Sequence, residues 1–319
     1  MKNDRFLIKV AELYYQDGLS QEKIAKKLNT SRTTVSRTLI KARKEGYVRI
    51  HINYPDQSNM KLEKQLEKQY DLKEAVVAVP GFNQTAEQAV SFQAADYIIR
   101  VLKKNMTFGL TWGRAMFHFV DQLEKDSRIK SLSFQNVKVV PFLGTPSGGS
   151  SDHQSAMTYS NILATEVGGI LSCISYNLSA PMSVEDENVK QMIEGIGEIS
   201  SVLKIAEQAD VAVFGIGSLG KDSSILKAGI RTEEEYRELE NRGGVGEIVG
   251  RIYDARGETV DQDMKKKMIG ISLECMRQIP IRVGIAYGKD KTEAIKGALR
   301  GKIINVLITD AATAESVLN

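Results

Sequence analysis

The chain has 319 residues, 42% of them apolar, and carries 43 Lys or Arg against 40 Asp or Glu, an ordinary globular composition with length enough for two domains. Its charge is unevenly divided: residues 1 to 52 hold 12 Lys or Arg against 5 Asp or Glu, net +7, and the remainder holds 31 against 35, net −4. This distribution argues against a protein that coats nucleic acid along its whole length, and no apolar run approaches the roughly 18 residues of a membrane span.

In chain order, residues 4 to 16 predict a helix with Leu7, Val10, Ala11 and Tyr14 on one face. Ser20 is a candidate N-cap for a second helix carrying Ile24, Ala25 and Leu28, with Glu22 in its first turn. Asn29, a residue that tolerates positive φ, marks a tight turn, and Thr30 or Ser31 then caps a third helix with Val35, Leu39 and Ala42 on its inward stripe. Gly46 stops that helix. Ala25 and Val35 stand at the spacing of packing residues in a helix-turn-helix. The opposite face offers Ser31, Arg32, Thr33, Thr34, Ser36 and Arg37, hydroxyls and guanidiniums suited to phosphates and base edges of double-stranded DNA. Tyr47 to Ile52 alternates like a strand, as the wing of a winged helix would, with His51 a wing or surface side chain. The expected DNA-binding domain is 1–53. Residues 54–72 then hold a linker helix, Met60 to Tyr70, with a narrow seam of Leu62, Leu66 and Tyr70; a helix lying on the next domain is the alternative.

From residue 73 to 319 apolar strand-like runs alternate with glycine-bearing loops and helical patterns, which implies an α/β domain with a largely parallel sheet. The runs are Ala75 to Val79, Thr107 to Leu110, Val137 to Phe142, Val211 to Phe214, Arg282 to Ala286 and Val306 to Thr309; helices are expected at Gln84 to Leu102, Val189 to Ala209 and Lys291 to Leu299. Ligands of such sheets bind beyond the carboxyl ends of the strands. Five loops are candidates: GLTWGRAM (109–116), LGTPSGGSS (143–151), FGIGSLG (214–220), GGVGEIVGRIYDARG (243–257) and AYGKDKTEAI (286–295). Together they describe a polar pocket for a phosphorylated, hydroxyl-rich small molecule. There is no Walker A motif and no GxGxxG with a following acidic partner, so no nucleotide cofactor is indicated. His51, His118 and His153 are too scattered for a metal site, and Cys173 and Cys275 form no CxxC pair, which suggests reduced core thiols in a cytoplasmic protein.

The order of these features resembles the SorC family of bacterial regulators, the group containing the sorbitol, deoxyribonucleoside and central glycolytic operon regulators. The resemblance covers nearly the whole chain: the LYYQDGLSQEKIAKKLNTSRTTVSRTLIKARKEGYVRI head, GLTWGRAM, NILA near Asn161, LSAP ending at Pro181, VGEIVGRIYDARG, and the closing GKDKTEAIKGALRGKIINVLITDAATAESVL. It implies a winged helix-turn-helix joined to an α/β effector domain resembling sugar-phosphate isomerases (NagB/RpiA/CoA-transferase-like), a homo-tetramer, and operator binding that changes when a phosphorylated sugar binds. Carried over by residue, it puts effector contacts at Gly144, Thr145, Ser147, Gly148, Gly149, Glu247, Arg251, Asp261 or Asp263, and Lys291, the last as phosphate partner ahead of Lys289. Some members carry a Schiff-base lysine where this chain has Leu143, so the resemblance here implies non-covalent binding and disfavours deoxyribose phosphate. The alternative from another class is a sugar-phosphate isomerase-like enzyme carrying a DNA-binding head, with Glu247 or Asp261 as its base.

Overall fold

The structure, a computed structural model, describes residues 2–48, 59–146, 157–220 and 223–319, which fall into two compact units, Met1–Pro55 and Asp56–Asn319. The first holds α1 (Lys2–Tyr15), α2 (Gln21–Lys27) and α3 (Arg32–Lys44). Ser20 Oγ accepts from the Lys23 amide at 3.3 Å, and Ser31, rather than Thr30, caps α3 by accepting from the Thr34 amide at 3.0 Å. Asn29 takes φ +47° in the turn and Gly46 φ +80° past the end of α3. Val10, Leu13, Ile24, Ala25, Val35 and Leu39 close a small core. Residues 49–52 of the expected wing lie outside the described residues, and Tyr47 and Val48 are not in a strand.

The second unit begins with α4 (Met60–Tyr70), β1 (Glu74–Ala78), α5 (Ala86–Val101), β2 (Thr107–Leu110), α6 (Arg114–Lys125), β3 (Lys138–Pro141), α7 (Ser160–Leu171) and β4 (Ile174–Ser175). It continues through α8 (Glu187–Glu194), α9 (Gly197–Glu207), β5 (Val211–Gly215), β6 (Gly217–Ser218), α10 (Ser224–Lys227), α11 (Glu233–Asn241), β7 (Gly244–Ile248) and β8 (Arg251–Asp254). It closes with α12 (Gln262–Lys267), α13 (Leu273–Gln278), β9 (Ile281–Ile285), α14 (Thr292–Arg300), β10 (Val306–Asp310) and α15 (Ala311–Leu318).

Seven strands form one sheet in the order β1-β10-β9-β5-β2-β3-β4, every neighbouring pair parallel. Because successive side chains of a strand point to opposite faces, Val211 and Val213 of β5 enter one apolar cluster while Ala212 and Phe214 enter the other. Both faces are thus covered, as is usual for a parallel sheet. Gly109 of β2 is a packing requirement: a Cβ there would lie 1.8 Å from Cζ of Phe142.

The expected linker helix is α4, and it packs as part of the second unit, with Leu66 fully buried. The single helix expected over 189–209 is two, α8 and α9, because the Gly195-Ile196-Gly197 step combines two poor helix formers with an extended Ile196 (φ −65°, ψ 125°). The 243–257 segment is a hairpin of β7 and β8, joined to β6 in a small antiparallel sheet. Its two-residue turn, Val249 (φ +54°) and Gly250 (φ +70°), has the positive φ pair that hairpins favour, though a β-branched residue there costs roughly 1–3 kcal/mol of strain.

Phe142→Ala is expected to cost about 3–5 kcal/mol in urea unfolding, since the ring is fully buried between the sheet and its neighbours. Gly109→Ala is destabilising alone, but in the Phe142→Ala background its clash disappears, so the double variant loses less than the sum of the two.

Candidate functional site

On α3, Arg32, Thr33 and Arg37 are exposed and Ser36 is half-buried, so these four lie opposite the Val35 and Leu39 stripe. Ser31 and Thr34 are exposed too, but their hydroxyls bond each other at 2.8 Å while Ser31 caps the helix. Arg32, Thr33, Ser36 and Arg37 are therefore the side chains available to a groove, and Ser31 and Thr34 first set where the helix begins.

In the second unit a cavity of about 630 Å3 opens at the carboxyl ends of β2, β5 and β9. Parallel strands bring these ends to one end of the sheet, and the cavity is walled by the loops that leave them: Thr111 to Ala115, Gly215 to Gly220, and Tyr287, Gly288, Asp290 and Lys291. Glu247 of the hairpin forms another part of the wall. The helical N-termini of α6, after Gly113, and of the 3-10 turn Lys289–Lys291, after Gly288, have no side-chain cap. Gly113 and Gly288 both line the cavity, so uncapped amides stand close to it, as an anion requires.

Five charged side chains line the cavity: Glu247 is buried, Glu87 and Lys291 are half-buried, and Arg114 and Asp290 are exposed. Burial pushes the Glu247 carboxyl up to about 7, against a hydrogen bond from the Gly250 amide and the field of Lys291, both of which favour the charged form. The approach is close: a Cβ on Gly217 would lie 2.8 Å from Glu247 Oε2. Burial also lowers Lys291, whose Nζ lies 5.0 Å from the centre of the Tyr287 ring. Glu87 accepts from the Tyr287 hydroxyl and lies 3.1 Å from His118 Nε2. Arg114, at the start of α6, adds a second cation to the wall.

Of the expected effector contacts, Glu247 and Lys291 line this cavity. Arg251 does not: its guanidinium is buried, donating to the carbonyls of Ile271 and Gly270 at 3.0 Å each, so it holds the hairpin to the 270 segment. Asp261 caps α12 by accepting from the Met264 amide at 3.0 Å and pairs with Arg231 in a separate recess, where exposed Asp263 also lies. Gly144 is wedged against backbone, its would-be Cβ 2.4 Å from the Pro181 carbonyl. Thr145 Oγ1 accepts from Asn161 Nδ2 at 2.9 Å and lines a shallower cleft with Asn177 and Ser179. Ser147, Gly148 and Gly149 lie outside the described residues. Lys289 is not among the cavity-lining residues. Leu143 is fully buried in the core.

Glu87, Arg114, Tyr287 and Asp290 also line the wall and were not among the expected contacts. Arg114 and Tyr287 sit in loops whose glycines had marked them as candidates. Glu87 had no such signal, since an acidic residue in the first turn of α5 reads as helix-dipole stabilisation. A groove of similar volume between α4 and α15, lined by Leu62, Gln65 and Leu318 among others, has no buried charge and no helix N-terminus on its wall.

Comparison with known proteins gives a consistent result across the chain. Residues 55–319 match the family model described as a sugar-binding domain. The sorbitol operon regulator of Klebsiella pneumoniae is 33% identical over 318 residues, covering 98% of each chain, and the deoxyribonucleoside regulator of Bacillus subtilis (strain 168) is 30% identical over 317, covering 98% of this chain and 96% of the other. The crystal structure of the full-length Klebsiella regulator SorC superposes with a TM-score of 0.74 at 33% identity over the whole of both chains. With a three-helix head bearing basic and hydroxyl side chains, and a parallel-sheet domain whose loops enclose buried charges, the chain belongs to the SorC family of sugar-responsive transcriptional regulators.

Proposed function

We propose that the protein controls a carbohydrate-utilisation operon by binding operator DNA through α3, and that a phosphorylated sugar held non-covalently in the β2/β5/β9 cavity alters that binding. The observation that carries this is that buried Glu247 and Lys291 line one cavity beside two uncapped helical N-termini. Lys291, Arg114 and the amides suit a phosphate. Glu247 suits hydroxyls: neutral it both donates and accepts, ionised it accepts at both oxygens. Leu143 supplies no amine for a covalent bond. The working form is a cytoplasmic homo-tetramer, with residues 1–53 as reading head, 54–72 as linker and 73–319 as effector and oligomerisation domain.

A carboxylate titrating near neutrality is also what an isomerase base needs, which favours the second reading, an enzyme with a DNA-binding head. The regulatory identity of the relatives weighs against it. Both readings meet in one experiment. A panel of sugar phosphates, with sorbitol 6-phosphate as first member, should raise the melting temperature without product formation. Steady turnover would make the protein an enzyme, and no stabilisation by any member would remove the effector assignment.

Arg37→Ala should weaken specific operator binding by roughly 1–3 kcal/mol and relax preference at one base pair if the guanidinium reads a guanine. A uniform loss with a flatter salt dependence would assign it to phosphate instead. Lys291→Met should fold and bind operator normally, yet lose most of its response to the phosphorylated sugar. A wild-type response would move the phosphate away from Lys291.

Glu247 adds a pH dependence. Its folded pKa of about 7 lies above the ordinary 4.5, so the folded state holds a proton that the unfolded state has released between those values. Its contribution to stability is therefore lost as pH rises from 4.5 to about 7. Glu247→Gln should flatten that part of the stability profile, as measured by urea unfolding at a series of pH values.

A further inference from the structure

Strand β1 is the last strand on its side of the sheet, so one row of its backbone groups has no neighbouring strand. Helix α4 and its cap residue supply the partners. Glu67 Oε1 accepts from the Ala75 amide at 3.1 Å and Glu63 Oε1 from the Val77 amide at 2.9 Å. Asn59 Nδ2 donates to the carbonyls of Val77 and Ala78 at 3.4 and 3.3 Å. Positions 59, 63 and 67 are four apart and share one side of the helix, where four residues rise about 6 Å, close to the span of about 6.6 Å between alternate strand amides. These bonds fix the register of α4 along the strand as discrete pairs, each made or broken.

The other end of the connection is at the cavity. The Gly288 amide, in the loop that carries Tyr287 and Lys291, donates to Asp310 Oδ2 at 3.1 Å and to Thr313 Oγ1 at 2.9 Å. Asp310 also caps α15, its Oδ1 accepting from the Thr313 amide at 3.0 Å. One buried carboxylate therefore serves both the cavity loop and the start of α15. That helix, about 12 Å long, packs against α4, and the Tyr70 hydroxyl at the end of α4 donates to the Val317 carbonyl at 2.9 Å. The last residue of β10, Asp310, is also paired in register with Ala78 of β1.

From this continuous set of bonds we infer that α15 relays the state of the cavity loop to α4: a ligand that moves the Gly288 to Lys291 loop alters the Asp310 and Thr313 cap, shifts α15, and resets the bonds of α4 to the sheet edge. The inference rests on the cavity being the effector site. It makes α4, the first helix after the DNA-binding head in the chain, the element whose register reports occupancy. Tyr70 and Thr313 are positioning residues in this relay, and neither lines the cavity.

The test has a ligand-free arm and a ligand arm, both on the full chain. In hydrogen exchange read by mass spectrometry, Thr313→Val removes one acceptor of the Gly288 amide while leaving Asp310 in place. It should speed exchange in residues 60–77 roughly threefold or more, and Tyr70→Phe should do the same by loosening the other end. Combined, they should exceed the larger single effect only slightly, because both break one connection. Additive effects, or faster exchange at 286–291 with none at 60–77, would overturn the relay. In the ligand arm, saturating sorbitol 6-phosphate should change operator affinity in the wild type. Tyr70→Phe should lose at least half of that change while binding the probe and the unliganded operator as before, and Glu63→Gln, which keeps an acceptor oxygen, should retain more of it than Glu63→Met. A full response in Tyr70→Phe would also overturn the relay. Failure of the wild type to bind any sugar phosphate defeats the effector reading alone, and the exchange arm still decides the relay.

Discussion

All seven strands of the main sheet point the same way, and most of what the second unit can do follows from that alignment. A parallel strand must be left by a loop and re-entered by a crossover, so the loops after β2, β5 and β9 gather at one end and the N-termini of the following helical segments gather with them. The amides there need partners that the backbone cannot supply, and side-chain caps are missing at two of them. The loop amides thus favour an anion there before any charged side chain is counted. Lys291 and Arg114 add positive charge to the wall, and Glu87, Asp290 and Glu247 oppose it.

Of the three carboxylates on the wall, Glu247 is the buried one. Glu247 comes from the small antiparallel hairpin, and its position depends on a turn that places Val249 at positive φ and ties the Gly250 amide back to the carboxylate. Strain in the turn, close approach of Gly217 and burial of the charge are unfavourable individually. They occur together where a hydroxyl-bearing ligand would supply new hydrogen bonds. Arg251, two residues past the turn's start, secures the hairpin from behind through two carbonyls, so its chemistry is mechanical although its sequence neighbours are in the cavity wall.

The head and the effector unit solve different problems with the same residue types. In the head, the hydroxyls of Ser20 and Ser31 cap the N-termini of α2 and α3, and Ser31 so sets where the turn between them ends. In the second unit, carboxylates do comparable work: Glu63 and Glu67 close the sheet edge, and Asp310 caps α15 while holding the cavity loop. Polar side chains that satisfy backbone groups are therefore also the joints through which one element feels another.

Local patterns in the sequence were sufficient for the three-helix head, the six expected strands of the sheet and the loops worth examining, because caps, apolar periodicity and glycine act over a few residues. The cap at Ser20, a cap at Thr30 or Ser31, the turn at Asn29 and the span of α4 followed from neighbours in the chain. Which of the marked residues face one cavity did not follow. Glu247 and Lys291 meet there, whereas Arg251 and Asp261, from the same stretch of sequence, are consumed by backbone carbonyls and by Arg231. The β7 to β8 hairpin had no sequence signal, since Val-Gly is not a favoured pair for its turn. Glu87 joined the wall from a helix that had pointed only to its own dipole. Side-chain destination is set by long-range packing and by competition for hydrogen-bond partners, neither of which the local sequence records, and so the composition of the site was decided only when the strands aligned.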